Sequence, residues 1–132
     1  MNVLLDTHVL LWTVADSKRL SRRARQTIAR SSARGGLSIA SITLWEIAQL
    51  VQRGRLTIQG TTSGWLAEVL AGVGVSILEL SPTIAELSTA FGAEFPLDPA
   101  DRIIAATARA HAMALVTADE RIRQTPLVKT IW

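Results

Sequence analysis

The sequence predicts an α/β domain of three layers, in which helices flank a central and mostly parallel β-sheet. Three observations predict it. Short apolar runs such as Val3–Leu5 and Ala114–Val116 lack polar alternation, as strands buried on both faces do. Segments with helical start and stop signals lie between them. The junctions are short and carry Gly, Ser or Asp-Pro rather than long polar linkers. With 132 residues, 48% of them hydrophobic, the chain can bury a proper core. Residues 1–132 therefore read as a single domain.

Residues 2–5 form the first strand and 8–14 the helix that follows. Ser21 is a cap for a helix running to about Ser32. The Gly35-Gly36 break precedes a strand at Leu37-Ser38-Ile39, after which Ser41 caps a helix to about Gln52, ended by Gly54. Residues 62–71 form a helix closed near Gly72 and Gly74, and Val75 to Leu80 is the next strand. Ser81-Pro82 and Asp98-Pro99 each place a cap before a proline at the first helical position. The second of them launches a small-residue helix to about His111. Ala114–Thr117 is a strand, and an edge strand closes the chain near Val128–Ile131. Strand order is not encoded in this pattern.

The chain has no cysteine, which excludes disulfides and thiolate metal sites and suits a reducing cytoplasm. No apolar run approaches the roughly 18 residues of a membrane span, and Asp6 interrupts the N-terminal run where a signal peptide needs continuity. The expected location is cytoplasmic. Net charge is only +3, but Lys18, Arg19, Arg22, Arg23, Arg25, Arg30 and Arg34 crowd one stretch. Such a stretch is either an RNA contact, with Arg22, Arg23 and Arg25 as candidates, or a solvated helix face. The four tryptophans are expected as core or interface anchors.

One position resists a purely structural reading. Asp6 sits between the apolar runs Val3–Leu5 and Val9–Trp12, where an unpaired carboxylate costs several kcal/mol, on the order of a lost ion's solvation. Ligands of parallel sheets bind beyond the carboxyl ends of the strands, and both Asp6 and Asp119 stand at such ends. Glu46 lies between Ile42 and Leu50 on an apolar helix stripe. Asp101 occupies a first turn and shares a face with Ile104, Ala105 and Ala108, so it points along the sheet's end. Each acid also has a structural use: Asp6 as a helix cap, Asp119 in a turn, Glu46 on the surface, Asp101 with the helix dipole. Asp98 is the better cap and Asp101 the better site residue.

Clustered carboxylates without cysteine favour a hard cation, Mg²⁺ or Mn²⁺, over zinc. A divalent cation would compensate Asp6 and support in-line displacement at phosphorus. Thr7 and Thr117 stand beside the acids as hydrogen-bonding supports, and Asp98 as a cap or outer group. No P-loop, no GxGxxG after a strand and no GxSxG elbow is present.

The segments VLLDTHVLLW, SITLWEIAQL and LDPADRIIAATARAHAMALVTAD, in this order, resemble the PIN-domain family, and within it the VapC-type toxins of toxin–antitoxin pairs. The resemblance implies a PIN-like fold and a metal-dependent endoribonuclease that hydrolyses RNA. It implies catalytic and metal-binding roles for Asp6, Glu46, Asp101 and Asp119. A small antitoxin that wraps the helices, and a homodimer, are further implications. Arg102 follows Asp101 with its role open. The rivals are a non-catalytic RNA- or protein-binding module of the same fold, and a metal-dependent phosphatase or DNA nuclease.

Overall fold

The structure is a computed structural model that describes residues 1–132. Five strands form one sheet, β1 (Val3–Leu5), β2 (Leu37–Ala40), β3 (Ser76–Leu78), β4 (Ala114–Val116) and β5 (Thr130–Ile131). Their order is β3-β2-β1-β4-β5, and every pairing is parallel. The sheet is thus parallel throughout, not only for the most part. β1 is central, and Val3, Leu4 and Leu5 are all fully buried, which explains why the run shows no polar alternation.

Seven helices connect the strands: α1 (Thr7–Ala15), α2 (Arg22–Ala33), α3 (Ile42–Gln52), α4 (Thr62–Val73), α5 (Pro82–Ala90), α6 (Pro99–Ala110) and α7 (Glu120–Arg123). A short 3₁₀ turn at Ser17–Arg19 lies between the first two. One core joins alternate residues of β1 and β4 (Val3, Leu5, Ala114, Val116) to α1, α2 and α4. The other joins Leu4 and Leu115, on the opposite face, to α5, α6 and α7. The two cores are the two faces of a period-2 pleat.

Small residues let α6 sit flush on its core: Ala100, Ala105, Ala106 and Ala108 are all buried there. Gly36 is needed for a close approach of a different kind. A Cβ there would lie 2.7 Å from the Met1 carbonyl oxygen and 2.8 Å from Asn2 Oδ1.

Several boundaries differ from the sequence reading. Ser21, Ser81 and Asp98 cap their helices as expected, but Ser41 does not. Its backbone N–H extends the sheet to the Leu78 carbonyl, 2.9 Å away. That contact holds Ser41 at helical φ −58°, ψ −30°, where it makes no side-chain cap bond. α4 runs through Gly72 and ends at Gly74, whose φ of +76° is left-handed. β3 is shorter than Val75–Leu80 at both ends. Trp12, Trp65 and Trp132 pack against the first core, whereas Trp45 is 52% exposed and anchors nothing in this chain.

Candidate active site

Because all strands are parallel, their carboxyl ends share one edge, and the cleft that opens there has a volume of about 480 Å³. Asp6, Glu46, Asp98, Asp101 and Asp119 all line it, with His8, Trp12 and Arg19 at the rim. Asp6 arrives directly from β1 and Asp119 two residues beyond Thr117, which extends β4. Glu46 comes from the middle of α3, and Asp98 and Asp101 from the start of α6.

The acids are held by a web of short-range bonds. The Thr117 hydroxyl donates to Asp6 Oδ2 at 2.7 Å and accepts the Asp119 backbone N–H at 3.1 Å. One buried hydroxyl therefore ties the two strand-end aspartates together. Asp6 Oδ1 accepts the N–H of Thr7 at 2.9 Å. The Thr7 hydroxyl donates to Glu46 Oε1 at 2.5 Å and lies 3.0 Å from the Thr43 hydroxyl. Glu46 is thereby drawn inward from α3, and does not reach outward as a surface glutamate. Thr43 was absent from the sequence reading, although its place one turn before Glu46 puts both on one face.

Asp98 performs two tasks. Its Oδ1 accepts the N–H groups of Ala100 and Asp101, at 2.8 and 3.3 Å, as a helix cap. One carboxylate oxygen each from Asp98, Asp101 and Glu46 also lie within 4.8 Å of one another. The sequence reading kept Asp98 outside the main quartet; the geometry puts it in the tightest trio. The spacing D-P-A-D was the available signal, since residues three apart on a helix are neighbours.

Arg102 points away from the cleft. Its Nε donates to the Pro96 carbonyl, Nη1 to Phe91, and Nη2 to Gly92 and Phe95, over 2.9–3.3 Å. It clamps the loop that leads into Asp98. Of the arginines named as candidate RNA contacts, Arg23 lines one cleft and Arg25 another, and Arg22 is exposed and lines neither.

Electrostatics follow from this crowding. Burial pushes the Asp101 carboxyl up to about 7, reinforced by the charges of Asp6, Asp98, Glu46 and Asp119. Burial also raises Asp6, against the opposing pull of its Thr117 and Thr7 bonds, and raises Glu46. A set of buried, mutually repelling oxygens with no sulfur and one rim histidine fits a hard divalent cation.

The chain matches the PIN domain family over residues 3–127. The chain belongs to that family. It is 36% identical over 132 residues to Ribonuclease VapC22 of Mycobacterium tuberculosis, and the match covers 98% of each chain. Among solved structures it is similar to a toxin–antitoxin complex from Klebsiella pneumoniae, at TM-score 0.64 and 25% identity over 96% of this chain and 95% of that one. It is also similar to VapBC2 from Rickettsia felis bound to a promoter DNA fragment, at TM-score 0.75. There the identity is 17%, over 98% of this chain and 97% of that chain, a likeness of fold.

For this PIN domain the Thr117 bond carries a measurable consequence. A hydrogen bond to the charged form favours that form, so Thr117→Val raises the Asp6 pKa further. The rise of ribonuclease activity with pH is expected to move to higher pH. Affinity for a divalent cation is expected to fall about 10- to 100-fold, as it does for groups that support a ligand. A pH–rate profile with a metal titration checks both, and an unchanged profile would remove Thr117 from the site.

Proposed function

We propose that this PIN domain, acting as a single unit over residues 1–132, is a Mg²⁺- or Mn²⁺-dependent endoribonuclease, the toxin of a type II toxin–antitoxin pair. The observation that carries the reading is the convergence of five carboxylates in one cleft at the carboxyl edge of the sheet. The 36% likeness to a ribonuclease along nearly the full length selects RNA as the substrate class. Asp101, Glu46 and Asp98 would hold the cation, with Asp6 and Asp119 completing the acidic set. A cation bound there supplies charge that offsets the scissile phosphate and favours ionisation of the attacking water.

The chain's own residues do the positioning. Thr117 and Thr7 lock Asp6 and Glu46 before substrate arrives, so little reorganisation is left for the reaction. Arg19 and His8 stand at the rim, where a phosphate enters.

The partner is a cognate antitoxin, as in the toxin–antitoxin complexes that share the fold. Apolar side chains left at the surface support it: Val14, 42% exposed, lines a groove with Trp65, Val69 and Val73 between α1 and α4. Homodimerisation belongs to the same reading. No helix is long and apolar enough to cross a membrane, and the proposed location is the cytoplasm.

Antitoxin-free protein stripped of metal should leave a panel of structured RNAs intact and cut at least one of them when Mg²⁺ or Mn²⁺ is restored. Single-stranded DNA and a small phosphate ester are run beside it. Preferential cleavage of either would replace the reading with a DNA nuclease or a phosphatase. Metal-loaded protein that binds RNA and cuts nothing would make it a binding module.

A further inference from the structure

A nuclease with an acidic centre faces an electrostatic difficulty. The cleft repels the polyanion it cuts, and a bound cation offsets that repulsion only locally. Affinity for the strand must come from elsewhere on the surface.

A second cleft, of about 500 Å³, runs along α2. Arg23, Arg30 and Arg34 line it together with Gln26 and Thr27, and no carboxylate does. Successive arginines are seven and four residues apart, so the stripe spans about 16 Å along the helix, at 1.5 Å per residue. The final interval, about 6 Å, is comparable to the separation of neighbouring phosphates on an extended strand. All three arginines are exposed.

Neighbouring residues lead from this basic cleft towards the acidic one. Ile131 lines the former and is followed at once by Trp132. The Trp132 ring packs 5.9 Å from that of Trp12, and Trp12 lines the acidic cleft. Arg19 stacks over Trp12 at 4.6 Å and His8 lies beyond it at 6.0 Å. Both tryptophans are half-buried, so each offers part of a ring to the surface. A row of aromatic and guanidinium planes therefore bridges a phosphate-attracting groove and the acids. Stacking planes combined with a basic groove are what a single strand requires.

We propose that single-stranded RNA is held along α2 by Arg23, Arg30 and Arg34 and crosses the Trp132–Trp12 ridge into the acidic cleft. The proposal rests on the ribonuclease reading and adds to it the path of the substrate. It also separates the arginines by task. Arg23 works with Arg30 and Arg34, while Arg25 lines a different cleft with Leu20, Ile28 and Gly72.

The test uses a 5′-labelled 12-nucleotide single-stranded RNA, with binding read by anisotropy in chelator. Cleavage of the same probe by wild type is read in parallel with Mg²⁺ or Mn²⁺. The triple variant Arg23→Gln, Arg30→Gln, Arg34→Gln should bind at least about tenfold more weakly. Its salt dependence should shrink by about two in slope, from three phosphates at roughly 0.7 each. Trp132→Leu keeps an apolar side chain against the core but loses the ring face. It should weaken binding about fivefold or more with the slope unchanged. Arg53→Gln with Arg55→Gln, a basic pair beyond α3, should change neither.

Unchanged affinity and slope in the triple variant, with wild-type cleavage intact, overturns the path and leaves the nuclease standing. The predicted losses of affinity, with no cleavage by wild type of this probe or of any structured RNA in the panel, would keep the path and sink the nuclease. Wild type that binds and cuts neither this probe nor any RNA of the panel ends both.

Discussion

Asp101→Asn is expected to lower metal-dependent RNA cleavage by at least about a hundredfold, and to stabilise the metal-free protein at alkaline pH. The first effect follows from position. Asp101 is one of the three acids whose oxygens approach within 4.8 Å, and loss of even a group that merely supports a ligand costs 10- to 100-fold. The second follows from linkage. In the folded chain the Asp101 carboxyl titrates near 7, while unfolded it titrates near the ordinary value of about 4. Between those values the folded state holds the extra proton, so stability falls as pH rises from about 4 to about 7. Above that the full penalty of the ionised group is present. Discounted for its partial exposure, it amounts to about 1–2 kcal/mol, or a few degrees in Tm. Thermal unfolding in chelator at pH 5 and pH 8 should show the wild type weakening between them, and Asp101→Asn weakening less. Restoring Mg²⁺ should narrow the gap by stabilising the wild type more than the variant. A variant that cleaves normally, or one with the wild type's pH response, would show that Asp101 does not carry the charge frustration of this site.

Arg102→Ala is expected to destabilise the fold by about 2–4 kcal/mol, the second of the large effects. Four backbone carbonyls of the segment Phe91–Pro96 accept from this one guanidinium. A hydrogen bond from a charged donor is worth about 1.5–3 kcal/mol net, and such bonds on a shared group do not add in full. Phe91, Phe95 and Pro96 are buried, so their carbonyls would be left poorly solvated. Loosening this loop also frees Asp98, so metal affinity should fall as well. Urea unfolding measures the first effect and a metal titration the second. Arg102→Lys keeps the charge but lacks the planar fork, and should recover less than half of the lost stability. Complete rescue by lysine would mean that charge, not geometry, holds the loop.

Much of the candidate site was legible in the chain because its acids sit where local patterns break. Asp6 interrupts an apolar run, Glu46 falls on an apolar stripe, Asp101 stands in a first turn, and Asp119 lies just past a buried strand. Each anomaly is local, so each is visible without the fold. Their convergence was expected from strand ends that share one edge of a parallel sheet, and the family resemblance assigned the quartet its roles. What stayed hidden involves partners far apart in sequence. The Thr117–Asp6 bond joins residues 111 positions apart, and the Thr7–Glu46 bond spans 39. Neither pairing exists until β1 lies beside β4 and α3 packs over the carboxyl edge.

Ser41 shows the same limit in the opposite direction. A serine ahead of an apolar helix reads as a cap, but the neighbouring strand claims its backbone and denies its side chain that role. By itself the sequence determined the class of fold, the buried strands, most helix starts and which acids stand out from their surroundings. Those depend on short-range periodicity and on the solvation of single side chains. Only the tertiary structure decided the strand order, the entry of Asp98 into the tightest trio, the clamp of Arg102 and the packing of Trp132 on Trp12. These are distances between elements, set by the packing of two faces onto one twisted sheet, and no local pattern encodes them.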